Sequence, residues 1–116
     1  MTDTPKILGQ VMPTNTNYAT LYQAPAGVHT VISTLSMCNT INQNVGTICS
    51  ANVLIVPSTQ QFTSSNTNAL YSGLQINASD TFQDTAGLTL GPGDLIFVKS
   101  YRGNDITFHV YGDEQS

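Results

Sequence analysis

No window of a dozen residues in this chain carries the i, i+3, i+4, i+7 apolar spacing of a helix free of Gly, Pro or a β-branched run. What recurs instead is a short stretch of alternating polar and apolar residues, closed each time by Pro, Gly or Asn. A chain punctuated this way can bury its apolar residues only as strands. The pattern predicts strands over Lys6 to Met12, Tyr18 to Gln23, Val28 to Asn39, Thr47 to Val56, Ala69 to Ile76, Leu88 to Leu90, Leu95 to Tyr101 and Ile106 to Tyr111, with a further short one starting at Asp80-Thr81-Phe82. That is an all-β chain of seven to eight short antiparallel strands, spaced as in a β-sandwich or a jelly roll. Gly91-Pro92-Gly93-Asp94 is the clearest turn, since Pro92 presets φ and Gly93 accepts a positive one. Sequential pairing predicts that Val28–Asn39 pairs with Thr47–Val56. It also predicts a hairpin of the last two strands through Arg102-Gly103-Asn104-Asp105.

The 116 residues amount to one domain, with no repeat or linker, and residues 1–5 and 113–116 read as flexible ends. A folded chain of this size keeps about 6,100 Å² of accessible surface, enough burial for one core. The expected core is Leu8, Leu21, Val31, Leu35, Leu54, Leu74, Leu95, Phe97, Phe108 and Val110.

Charge excludes several functions. Only 9% of residues are charged, and three scattered basic ones (Lys6, Lys99, Arg102) in a chain of net charge −4 cannot neutralise phosphates, so no nucleic-acid partner is expected. The longest apolar runs are four residues, Val53–Val56 and Leu95–Val98, far short of the roughly 20 a membrane span needs. The opening MTDTPKILGQ has neither the basic nor the apolar region of a signal peptide.

Candidate chemistry is sparse. His29 and His109 have no neighbouring ligands at metal spacing, and Asp80, Asp84 and Asp94 lack calcium-loop spacing, with Asp80 and Asp94 placed to cap turns. No serine has glycines two before and two after it, so there is no nucleophile elbow. Cys38 and Cys49 read as two buried thiols, with a cross-strand disulfide as the alternative. Asn77-Ala78-Ser79 is a chance sequon, and Tyr18, Tyr22, Tyr71, Tyr101 and Tyr111 are either ordinary strand tyrosines or a sugar-binding surface. No catalytic, cofactor or metal residue is assigned.

Several segments, in order along most of the chain, resemble small β-sandwich virion structural proteins of tailed bacteriophages. They are Lys6-Ile7-Leu8-Gly9-Gln10, Pro13, Leu21-Tyr22, Pro25-Ala26-Gly27, Val31-Ile32-Ser33-Thr34-Leu35 and Cys38-Asn39. In the second half they are Ile76 to Phe82, Gly87-Leu88-Thr89-Leu90, Gly93 to Val98, Phe108, Gly112 and Glu114. The family usually has Pro where this chain has Asn77, and Ser58 to Asn68 has no counterpart. The resemblance implies a non-enzymatic capsid decoration (cement) protein, located in the virion, bound to the major capsid protein of the shell as a homotrimer and needing no cofactor. The alternatives are a tail, neck or baseplate component, or a carbohydrate-binding host-attachment module. Residues 1–5, polar and without a strand pattern, suggest an arm that orders on contact with the shell.

Overall fold

A computed structural model describes residues 6–40, 48–58, 68–85 and 87–115. These form nine strands: β1 (Lys6–Val11), β2 (Ala19–Gln23), β3 (His29–Asn39), β4 (Cys49–Val56), β5 (Ala69–Ile76), β6 (Thr81–Asp84), β7 (Leu88–Leu90), β8 (Leu95–Ser100) and β9 (Ile106–Gln115). One sheet has the order β1-β9-β3-β6, with β7 continuing the β6 position along β3; the other has the order β2-β8-β4-β5. Every pairing is antiparallel.

The connectivity is that of a rolled-up hairpin. The chain doubles back at the β4–β5 connection, so that β4 pairs β5, β3 pairs β6 and β7, β2 pairs β8, and β1 pairs β9. Rolling this long hairpin adds β3–β9 and β4–β8, and two facing four-position sheets result. This is a jelly roll, the more specific of the two expected architectures. Total accessible surface is 6145 Å², as chain length requires.

The roll overturns both expected hairpins. β3 and β4 lie in different sheets, and so do β8 and β9. The Arg102–Asp105 connection is a corner between the layers. Asn104 takes φ +63 there, its N–H donates to the Pro13 carbonyl at 2.9 Å, and Arg102 is ion-paired with the buried Asp105. Asn tolerates this left-handed backbone better than most residues. β9 also runs on through Gln115, paired with His29 of β3, so Asp113 to Gln115 are strand and correct the expectation of a loose tail.

Of the expected core, Leu21, Leu35, Phe108 and Val110 are buried in the central cluster, and Leu8 and Leu74 pack against it half-buried. Val31 is exposed, and the reason is a bulge. Thr30 and Ile32 point inward, the register slips between Ile32 and Thr34, and from there Leu35, Met37 and Asn39 point inward. A single alternation through Ser33 puts Val31 on the wrong side. Leu95 and Phe97 fail for another reason. All four residues of Leu95–Val98 are apolar, so alternation cannot say which pair faces in. Pairing decides: Ile96 and Val98 sit opposite Ile55 and Val53 in the core, while Leu95 and Phe97 sit opposite Val56 and Leu54 on the outer face. Leu54 is therefore buried, as expected, but away from the facing sheet.

The Gly91–Asp94 turn is as the sequence predicts. Gly93 has φ +82, and Asp94 N–H donates to the Gly91 carbonyl at 3.2 Å. The Asp94 carboxylate accepts from the backbone N–H of Gly91 and Ser58, both at 2.9 Å.

Two stability predictions follow from packing. Phe108 is fully buried at the centre of the cluster, so Phe108→Ala should lower unfolding free energy by about 3–5 kcal/mol in denaturant titration. A Cβ on Gly93 would lie 2.9 Å from Ser58 Cβ in a backbone region closed to branched residues, so Gly93→Val should cost about 1–3 kcal/mol with no loss of core contacts.

Candidate interaction surface

The charged side chains of the described residues are almost all engaged inside the chain. Lys6 Nζ pairs with Glu114 at 2.9 Å, and Arg102 pairs with Asp105. Asp84 accepts from the Tyr71 hydroxyl at 2.5 Å. Asp80 accepts from the Thr81 N–H at 3.0 Å and Asp94 from its own turn, so both cap backbone as their sequence positions suggest. Lys99 lies over the rings of Tyr18 and Tyr101, 5.7 and 4.9 Å from their centroids. Asp113 alone keeps a buried carboxylate oxygen with no hydrogen-bond partner.

The five tyrosines do not gather into one surface. Tyr22 is buried and donates to Glu114 at 2.6 Å. Its single proton is used there, so Thr30, 2.8 Å away, must donate to the Tyr22 oxygen. Tyr22 belongs to the second sheet and Glu114 and Thr30 to the first, so this network ties the layers together where β1 and β9 meet β2. Tyr71 on β5 does the same at the opposite edge, donating to Asp84 and packing edge-on to Phe82 of β6 with ring centroids 5.2 Å apart. Tyr111 lies 3.1 Å from His109 Nδ1, which also faces the Gln10 amide at 3.3 Å. Only Tyr18 and Tyr101 share a surface. Tyr18 is fixed by a 3.0 Å bond from Asn52 Nδ2, and Asn52 is itself held by a 2.7 Å bond from the Gly73 N–H. The spacing of the sequence carries no signal for this pair, because Tyr18 and Tyr101 come from the ends of β2 and β8 and meet only through sheet pairing.

His29 and His109 are not brought together with further ligands, and no cluster of three potential metal ligands occurs among the described residues. Cys38 and Cys49 are both free thiols on different sheets, Cys49 buried as expected and Cys38 only half-buried. Asn77-Ala78-Ser79 forms a turn, with Ser79 at φ +61 and Asp80 N–H donating to the Asn77 carbonyl at 3.0 Å. The expected arm, residues 1–5, lies outside the described residues. No helix among the described residues is long and apolar enough to cross a membrane.

These features define a jelly-roll module most of whose described charged groups are engaged within its own structure. Neither protein-family models nor curated proteins match the chain. Among solved structures it is similar in fold to a chain of the acid-stable capsid structure of Helicobacter pylori bacteriophage KHP30, with a TM-score of 0.52, 11% identity, and 99% of each chain covered.

The clasps make stability depend on pH at both ends of the scale. Burial and then the bond to Glu114 push the Tyr22 phenol up to about 12, and burial and the bond to Asp84 do the same to Tyr71. A phenol whose folded value lies above its ordinary 10 stabilises the fold below that pH and loses its contribution as pH rises to about 12. Glu114 is held below its ordinary value, first by the Tyr22 hydrogen bond and then by Lys6, so its contribution is present above the usual carboxylate range and lost as pH falls below it. The melting temperature should therefore fall between pH 10 and 12, and Tyr22→Phe with Tyr71→Phe should flatten that limb of the curve. A double variant as steep as wild type would remove the clasps from the alkaline transition.

Proposed function

We propose that this chain is a structural protein of a phage virion, and within that class a decoration protein that binds the major capsid protein of the assembled shell as a homotrimer. The observation that carries the reading is the end-to-end likeness of its jelly roll to a chain of a phage capsid, each covered to 99%. Two properties of the molecule support it. Outer faces nearly free of unpaired charge let neighbouring copies pack without burying ions, whose desolvation is costly. Nothing in the proposed role asks for a catalytic group or cofactor, and the polar clusters described above serve to hold the two sheets together.

All four edge positions are also unsuited to β-addition. β1 and β2 carry register shifts, β5 is irregular against β4, and the β6–β7 edge is interrupted after Asp84. Copies of this protein would therefore meet through faces and loops.

Copy number decides where in the virion the chain sits. Quantitative gel densitometry or mass spectrometry of purified virions should give a number that scales with the shell lattice. A count in the tens or below would assign it to the tail, neck or baseplate. Sedimentation of the isolated protein should show a trimer, and a monomer at high concentration would remove that part of the proposal.

A further inference from the structure

Lys99 is set apart from the other two basic residues. Lys6 and Arg102 each have a carboxylate partner, whereas Lys99 has none within ion-pairing distance among the described residues. Every acidic side chain but Asp3 belongs to the described residues. The Lys99 ammonium is instead presented between two tyrosine rings on the outer face of the second sheet. It lies opposite Asn52 in the β4–β8 ladder, whereas its neighbours Val98 and Ser100 point inward.

Lys99 and Tyr18 are half-buried, and the exposed margin of the site is apolar. Tyr101 is 48% exposed, and its N–H bonds the Ser50 carbonyl at 3.0 Å, which places it beside the start of β4. Ile48, immediately before the start of β4, is 50% exposed. Tyr18 is held in place through Asn52 rather than free to rotate. An ordered tyrosine pair, a cation without a counter-ion and an exposed isoleucine form the composition of an interface anchor, in which the rings contact apolar groups and partly dehydrate the cation for a carboxylate. Little side-chain order remains to be lost on binding.

We infer that Lys99, Tyr18, Tyr101 and Ile48 form the surface by which this chain docks on the shell, and that its partner presents a carboxylate flanked by apolar side chains. This rests on the decoration reading above and adds to it the contacting face and the chemistry of the partner. A positively charged anchor on a chain of net charge −4 also fixes orientation, because any other described part of the surface approaches an acidic partner with no free cation.

The test is co-sedimentation of the full chain with purified expanded shells that lack it. Wild type is compared with Lys99→Arg, Lys99→Gln, Lys99→Glu and Tyr101→Ala, with Ile7→Ser on the first sheet as the control. Melting temperatures are recorded alongside, so that a loss of fold is told apart from a loss of binding. Lys99→Glu should weaken binding about tenfold or more, Lys99→Gln and Tyr101→Ala by less, and Lys99→Arg and Ile7→Ser hardly at all. Wild-type binding should also weaken as salt is raised. If wild type binds shells and Lys99→Glu binds equally well, this surface is wrong and the decoration reading stands. If wild type does not bind shells at all, the decoration reading falls and the shell partner with it. Binding of wild type to a glycan array that is lost in Tyr101→Ala would reassign the same rings to a sugar and overturn the carboxylate partner.

Discussion

The β3–β9 ladder is the constraint on which the remainder of the structure depends. It joins residues 29–39 to residues 106–115 and makes the first sheet continuous across the roll. It also contains one irregularity, at Ser33, opposite Gly112. At that point the backbones come so close that a Cβ on Gly112 would lie 2.0 Å from the Val31 carbonyl oxygen. Only glycine fits there. The bulge turns Ile32 and Leu35 both inward, although they are an odd three positions apart, and so allows one eleven-residue strand to line the core along its whole length. Without the slip, one half of β3 would present hydroxyls to the facing sheet.

Two layers held only by apolar contact can slide, and this molecule pins them at both open edges. Tyr22 reaches Glu114 on one side and Tyr71 reaches Asp84 on the other. Each bond is charge-assisted and so stronger than a bond between neutral groups. At the far end from Lys6, the buried Asn39 donates to the Ile76 carbonyl at 2.9 Å, again from one sheet to the other. The same economy explains the neutral exterior. Most of the described acidic and basic side chains have internal partners, and the remaining polarity is carried by hydroxyl and amide side chains.

The edge strands are bulged or interrupted, which disfavours the addition of a further strand to either sheet. Among the described residues, one basic side chain, Lys99, is framed by two rings and has no carboxylate partner.

Strand positions, the absence of helix among the described residues, the Gly93 turn and the capping roles of Asp80 and Asp94 were legible in the sequence, because each depends on residues within a few positions of one another. Alternation marks a strand, proline followed by glycine marks a turn, and Asp beside a turn finds its own backbone. The sheet to which each strand belongs was not legible. Adjacent strands were expected to pair, yet only β4 and β5 do so, because rolling the long hairpin buries more apolar surface than a flat meander of the same strands. Which side of β8 faces inward was equally hidden, since Leu95 to Val98 are apolar on both sides. The tyrosine clasps and the Lys99 site join residues up to 92 positions apart, and no local pattern encodes such a meeting. What the sequence by itself determined is the set of strands and turns, through local sterics and alternation. Tertiary structure alone decided their partners, the inward faces and the sites, because these depend on how two twisted sheets close over one shared core.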